Sequence, residues 1–543
     1  MYFLKESISF LLFCAATAAA TDGIMEVMFS KHKDVSHDNS LWKRNQNSLA
    51  LNLKNEQIFY AADLSVGTPP QNLTVLLDTG SSDLWVTGSD NPYCLSNETT
   101  TDPSKNIMKS VVDCSRYGTF EKDNSSTFSQ SDSRFQIKYA DNTFANGYWA
   151  KDVVSLGGNY IADMQFAVAN ETNSTVGVLG IGFERLESVK GYEGAPNTYY
   201  QNFPLALKNN GIIDKTAYSL HLNSLDSSSG SILFGGIDSN KYTGDLYTFP
   251  LVNIHPSVVN EPAKFHVTVQ GIGVQSSGSH EQSILMSTKY PALLDSGTTL
   301  LVAPQEFADS MANYVNATYN DLEGIYTMTC PPENDDTEFL FDFGDLKIKV
   351  PLKNFILAPE DNEYCGFGVL PTVDTMILGD MFLSAAYVVY DLESYEVSLA
   401  QANWNSDESE IQAIRHTIPG ATKATAATWS PYETNATISY FQSATLSSYD
   451  SVTTEYTEVT RSTQLAADCS RPNSWPLKFR KKKSDKSEDN CSFETASSDS
   501  WMPSVNIDID FNKAIVSDNA AGTNGVNKHL LNLLFMLFIP ILF

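Results

Sequence analysis

The chain has 543 residues, too many for one hydrophobic core, so two or more domains with non-globular segments are expected. Its 42% hydrophobic content can fill a core, while a formal net charge of −29 repels phosphate over most of the surface and argues against nucleic-acid binding. None of the eight histidines lies in a His-Glu-x-x-His helix or beside a cysteine cluster, so neither a metal nor a cofactor is expected.

In chain order, residues 1–20 join an early lysine to an apolar run from Ile8 through Ala16 and the small-residue end Ala18-Ala19-Ala20. That is the pattern of a secretory signal peptide, too short to span a membrane stably. Residues 21–44 are a polar segment with Lys31, His32 and Lys33, closed by Lys43-Arg44, and read as a propeptide cut after Arg44 by a dibasic-specific secretory protease.

From Ile58 the pattern turns to strands, alternating as far as the turn Gly67-Thr68-Pro69-Pro70. The next apolar triplet, Val75-Leu76-Leu77, ends in Asp78-Thr79-Gly80-Ser81. A polar insertion over 88–130 holds Cys94 and Cys114, and Phe135–Gly147 reads as strand, turn, strand. Thr175–Phe183 has two apolar residues before Gly180, and Ser231–Asp238 is a Gly-containing strand and turn without the Gly-Lys-Ser/Thr ending of a phosphate loop. Two of these patterns then return: Ala292-Leu293-Leu294 runs into Asp295-Ser296-Gly297-Thr298, and Thr375–Phe382 repeats the apolar pair before Gly379.

The globular pattern stops near Trp404. Residues 405–519 are rich in Ser, Thr, Asp, Glu and Ala with little apolar periodicity, and read as a largely disordered, O-glycosylated stalk. In 520–543 a polar spacer precedes an apolar end, Leu530 to Phe543; with the small residues around Asn519 this matches a GPI-attachment propeptide, Asn519 being the attachment site. Apart from Cys14 in the signal, the seven cysteines fall into three local pairs, Cys94–Cys114, Cys330–Cys365 and Cys469–Cys491, read as disulfides formed in an oxidising compartment. Sequons stand at Asn72, Asn97, Asn124, Asn170, Asn173, Asn316, Asn435 and Asn490.

The repeated Asp-Thr/Ser-Gly-Ser/Thr motif points to a duplication in which each half supplies one aspartate to a shared acid/base site. Gly80 and Gly297 let backbone N–H groups approach the carboxylates, and the small hydroxyl residues supply further donors. With two copies, each behind its apolar triplet, the sequence resembles the pepsin-like aspartic proteases over about Phe59 to Trp404. The resemblance implies an all-β, bilobed fold, with an N-terminal lobe at 45–225 and a C-terminal lobe at 226–404.

It also implies roles. Asp78 and Asp295 would share a proton and a water; Thr79 and Ser296 would brace the two loops, while Ser81 and Thr298 would bond the outer carboxylate oxygens. Tyr139 would be the tyrosine of a flap closing over bound peptide, with Trp85 as hydrogen-bond partner of its hydroxyl; Ala140 and Asn142 depart from the family's Tyr-Gly-x-Gly pattern. Basic residues of the propeptide would neutralise the two carboxylates before activation. Asp141, near the flap tip, would pair with a Lys or Arg beside the cut bond.

The stalk, the insertion and the C-terminal signal make the whole chain similar to the fungal yapsins, cell-surface proteases that cut at mono- or dibasic sites. The partners implied are peptides and proteins with basic residues, and a membrane reached through the GPI anchor. The location implied is the outer face of the plasma membrane or the cell wall, and the form monomeric or a processed two-chain species. The alternative is a catalytically inactive, GPI-anchored wall or adhesion protein that uses the cleft only to bind.

Overall fold

Strands form where apolar residues alternate, and the computed structural model arranges them into one 14-stranded sheet with smaller sheets around it. It describes residues 23–33, 58–94, 112–139 and 143–426, except 258, 278–280, 322–323, 358–363 and 407, plus the backbone of the short strands at 440–441 and 458–459. The signal peptide, Lys43-Arg44, Asn97, Asp141, Asn435, the Cys469–Cys491 pair, Asn490, the stalk beyond those short strands and Asn519 lie outside the described residues.

The strands that matter for the site are β1 (Met25–Lys33), β2 (Ile58–Val66), β3 (Gln71–Asp78), β4 (Leu84–Thr87), β5 (Ser129–Lys138), β6 (Phe144–Leu156), β7 (Asn159–Thr172) and β8 (Gly177–Gly180). They continue as β9 (Ala217–His221), β10 (Ser229–Phe234), β11 (Gly236–Asp238), β12 (Tyr242–Pro250), β13 (His266–Val269), β14 (Tyr290–Leu294), β15 (Leu301–Pro304) and β16 (Val369–Thr372). Last come β17 (Met376–Leu378), β18 (Ala386–Asp391), β19 (Glu396–Ala402), β20 (Ile411–Ala413) and β21 (Ala421–Lys423). The large sheet runs β21-β12-β19-β18-β9-β10-β1-β2-β3-β8-β4-β7-β6-β5, and a five-stranded sheet of the second lobe runs β13-β14-β17-β15-β16.

The duplication is visible as topology. β3 pairs in parallel with β8, Asp78 opposite Gly180, and β8 pairs antiparallel with β4. β14 likewise pairs in parallel with β17, and β17 antiparallel with β15. Strands paired on both edges and covered on both faces must be apolar throughout, as in Ala292-Leu293-Leu294 and Met376-Ile377-Leu378. Disulfides join Cys94 to Cys114 and Cys330 to Cys365.

Two segments beyond the expected lobes, one before residue 45 and one after Trp404, contribute strands to the fold. Within the polar leader, β1 pairs with β10 from Met25 to Ser30 and with β2 from Ser30 to Lys33. Met25, Val27 and Phe29 are 1%, 4% and 2% exposed in the main core, and burying each stabilises by about 1.5–3 kcal/mol. The signal was present as alternation, Met25-Glu26-Val27-Met28-Phe29-Ser30, hidden by the basic residues that follow.

The expected domain end at Trp404 moves to about Ala426. β20 pairs antiparallel with β11, and β21 pairs in parallel with β12. The large sheet needs this cover because its alternate residues point to opposite faces. Tyr218, Val388, Tyr390 and Leu399 join the main core, whereas Ala217, Tyr387, Val389 and Ala400 face a second cluster completed by Ile414 and Ile418. Polar ties hold the strap at both ends: Ser409 Oγ donates to Asp238 Oδ2 at 2.6 Å, and Thr425 Oγ1 donates to Asp345 Oδ1 at 3.0 Å. The buried Lys215–Asp391 ion pair also donates to the strap, from Lys215 Nζ to His416 O at 3.0 Å. A chain truncated after Trp404 is therefore expected to melt about 5–10 °C below one truncated after Ala426. Coincident melting curves would show that the strap adds nothing.

Candidate active site

Asp78 and Asp295 lie at the ends of equivalent strands, one in each half, and hydrogen bonds between their two loops bring them together. Both are almost fully withdrawn from water, at 6% and 8% exposed. Each is held by its own loop in the same way. Gly80 N donates to Asp78 Oδ1 at 2.7 Å, and Ser81 Oγ to Asp78 Oδ2 at 2.5 Å. Gly297 N donates to Asp295 Oδ1 at 2.9 Å, and Thr298 Oγ1 to Asp295 Oδ2 at 2.8 Å.

The loops are cross-braced by Thr79 and Ser296. Thr79 Oγ1 donates to Leu294 O at 3.1 Å and accepts from Ser296 N at 2.9 Å; Ser296 Oγ donates to Leu77 O at 2.9 Å and accepts from Thr79 N at 3.2 Å. Serine serves in place of threonine because the brace uses only the hydroxyl.

The glycines do more than their backbone N–H groups require. A Cβ on Gly80 would fall 2.5 Å from Asp295 Oδ1, and one on Gly297 would collide with Asp78 Oδ1. Each glycine thus clears space for the opposite carboxylate, which only tertiary contact reveals.

Burial pushes the Asp78 carboxyl up to about 7, and the adjacent Asp295 charge adds to this, against the pull of the Ser81 and Gly80 hydrogen bonds. Two like charges this close cannot both ionise cheaply, so the proton belongs to the pair. Behind them Asp380 is buried, its carboxyl raised well above the usual range by burial and by the Asp295 and Asp78 charges. Lys31 pulls Asp380 the other way, and its Nζ donates to Leu225 O.

The aromatic residues singled out in the sequence also meet. Trp85 Nε1 donates to Tyr139 Oη at 2.8 Å, and Tyr139 N donates to Thr143 O at 2.8 Å, where the β5–β6 hairpin turns. Sequence reading missed a buried polar group beside them: Asp83, Glu187, Ser188 and Tyr200. These are ordinary residue types scattered over the chain, and no local pattern marks them.

Among the sequons, Asn72, Asn124, Asn170 and Asn316 are exposed, whereas Asn173 is half-buried and its Oδ1 accepts from Phe144 N at 2.9 Å.

Residues 59–402 match the family described as eukaryotic aspartyl protease. Barrierpepsin of Saccharomyces cerevisiae is 52% identical over 390 residues, covering 70% of this chain and 66% of that protein, just under two thirds of its length. From the same yeast, aspartic proteinase 3 is 43% identical over 430 residues, 68% of this chain and 74% of that protein. Aspartic proteinase yapsin-3, also from that yeast, is 44% identical over 420 residues, 75% of this chain and 79% of that protein.

Proposed function

The chain belongs to the eukaryotic aspartyl protease family, as an aspartic-type endopeptidase of the yapsin and barrierpepsin type, and from that premise we propose how its residues act and on what. Asp78 and Asp295 hold one water and one proton between them. The ionised carboxylate takes a proton from the water while the protonated one donates to the peptide carbonyl oxygen. The water oxygen bonds to the carbonyl carbon, the C–N bond breaks, and the departing nitrogen receives a proton, with no covalent enzyme intermediate. The observation that carries this reading is the mirrored set of donors holding two buried carboxyl groups, one from each half. Gly80, Ser81, Gly297 and Thr298 orient the pair, and Thr79 and Ser296 fix the loops to each other.

The substrates are peptides with Lys or Arg beside the cut bond, at mono- or dibasic sites of secreted or wall proteins. Support comes from the place of Asp141 in the sequence, two residues beyond Tyr139. A proteome-derived peptide library digested at acid pH and read by mass spectrometry is expected to show cleavage next to basic residues. Asp141→Ala is expected to weaken that preference about tenfold, the loss of one charge-assisted pair. A purely hydrophobic preference, unchanged in the variant, would overturn the assignment.

The signal at 1–20 and the pattern around Asn519 support export to the cell surface on a GPI anchor, at the plasma membrane or in the wall. Release of the protein from intact cells by a phosphatidylinositol-specific phospholipase tests the anchor.

A further inference from the structure

Resting on the peptidase reading above, we propose that residues 187–200 form a bracket coupling the β5–β6 hairpin to the catalytic loop. In this proposal Tyr200 and Asp83 are positioning residues that set how tightly bound peptide is held.

The first grip is at the hairpin. The β5–β6 register slips between Gln130 and Arg134 and resumes from Arg134–Tyr148 to Lys138–Phe144. Such a bulge lets the outer hairpin, which carries Tyr139, tilt against its base. At that point Arg134 N donates to Gly194 O at 2.8 Å, and the Tyr192 hydroxyl lies 3.0 Å from Arg134 O while donating to Ser188 O at 2.6 Å.

The second grip is at the catalytic loop. Asp83, five positions after Asp78, is 1% exposed, and a buried carboxyl must find donors. Ser188 N and Oγ donate to its Oδ2 at 2.8 and 2.6 Å, and Tyr200 Oη donates to its Oδ1 at 2.9 Å. All three donors come from the bracket. Glu187 Oε2 accepts from Tyr200 N at 2.9 Å, and burial keeps this acid neutral, its carboxyl raised to about 9. Tyr200 stacks edge-on against Trp149 at 5.1 Å, in the same cluster as Trp85, which holds the Tyr139 hydroxyl. The tilt of the hairpin at its bulge is therefore referred, through one segment, to the loop that carries Asp78.

Tyr200→Phe in the full chain withdraws one hydroxyl and leaves the ring packed. Both KM for a peptide substrate and the Kd for pepstatin are expected to rise about five- to tenfold, with kcat within about twofold and its pH profile superimposable. Gly194→Ala acts at the other grip: its backbone φ of +84° disfavours a side chain, and a Cβ there would press on Arg134 Cδ at 2.9 Å. The same KM effect is expected, and the double variant should be no worse than the weaker-binding single, because one linkage is broken twice. Asp83→Asn can still accept from Tyr200 Oη, but its amide NH2 then faces Ser188 N, which loses its acceptor, so KM is expected to rise here too. Unchanged KM and pepstatin Kd in a folded Tyr200→Phe, a fall in kcat alone, or strictly multiplicative effects in the double variant would overturn the bracket. Absence of turnover in the parent protein would instead sink the peptidase reading.

Discussion

Asp78→Asn is expected to lower kcat/KM for peptide hydrolysis about 10⁴-fold, because it removes the proton-sharing partner on which both halves of the reaction depend. The fold should survive the change. Asparagine keeps the shape of the side chain and an oxygen to accept from Gly80 N, and it relieves the penalty of a buried charge beside Asp295. Its thermal midpoint at pH 7 should therefore equal or exceed that of the parent, so that activity is lost as stability is kept. Circular-dichroism melting beside turnover of a fluorogenic peptide separates the two effects. Residual hydrolysis within about tenfold of the parent would remove Asp78 from the mechanism. A parent protein that binds pepstatin but cuts nothing would favour the binding-only reading.

Raising the pH should both unfold and inactivate this protein. Asp78, raised to about 7, Glu187, raised to about 9, and Asp380, raised well above its ordinary range, are carboxyl groups kept neutral chiefly by burial. A group whose folded-state value lies above its unfolded value contributes its full stability below the unfolded value, near pH 4 for a carboxyl. That contribution is lost as pH rises through the folded value. Stability is thus expected to be greatest near pH 4 and to decline from there through pH 7 and towards pH 9. Melting temperature should fall by about 10 °C between pH 4 and pH 8. Hydrolysis should fall with it, because the shared proton leaves the pair above about pH 7. Asp380→Asn removes one of these buried acids and should flatten part of the decline. A melting temperature that rises from pH 4 to pH 8 would contradict the buried, neutral assignment of all three.

Much of the site could be read from local sequence because its chemistry is local. The donors that hold Asp78 come from the next three residues, and those that hold Asp295 from the equivalent three, so the motif and the hydrogen-bond set are the same object. The brace between Thr79 and Ser296 and the Trp85–Tyr139 bond were legible only through the resemblance, since each joins residues far apart in the chain. The strap was misjudged for a different reason. Ile411, Ile414 and Ile418 are sparse apolar residues in a polar stretch, and what buries Ile414 and Ile418 is a sheet face completed by residues from 217 to 400. That the leader contributes a strand was not legible, because its short alternation has meaning only against β10 and β2.

The amino-acid sequence by itself determined the two half-sites, their duplication, the all-β character and the disulfide pairs within the lobes, because each is written in residues near one another or in a pattern that repeats. Tertiary structure alone decided that Gly80 makes room for Asp295 and Gly297 for Asp78, that the catalytic body extends to about Ala426, and that Asp83 is gripped by Ser188 and Tyr200. These depend on close approach, burial and exclusion of water between distant segments, and such quantities arise only when the chain is packed.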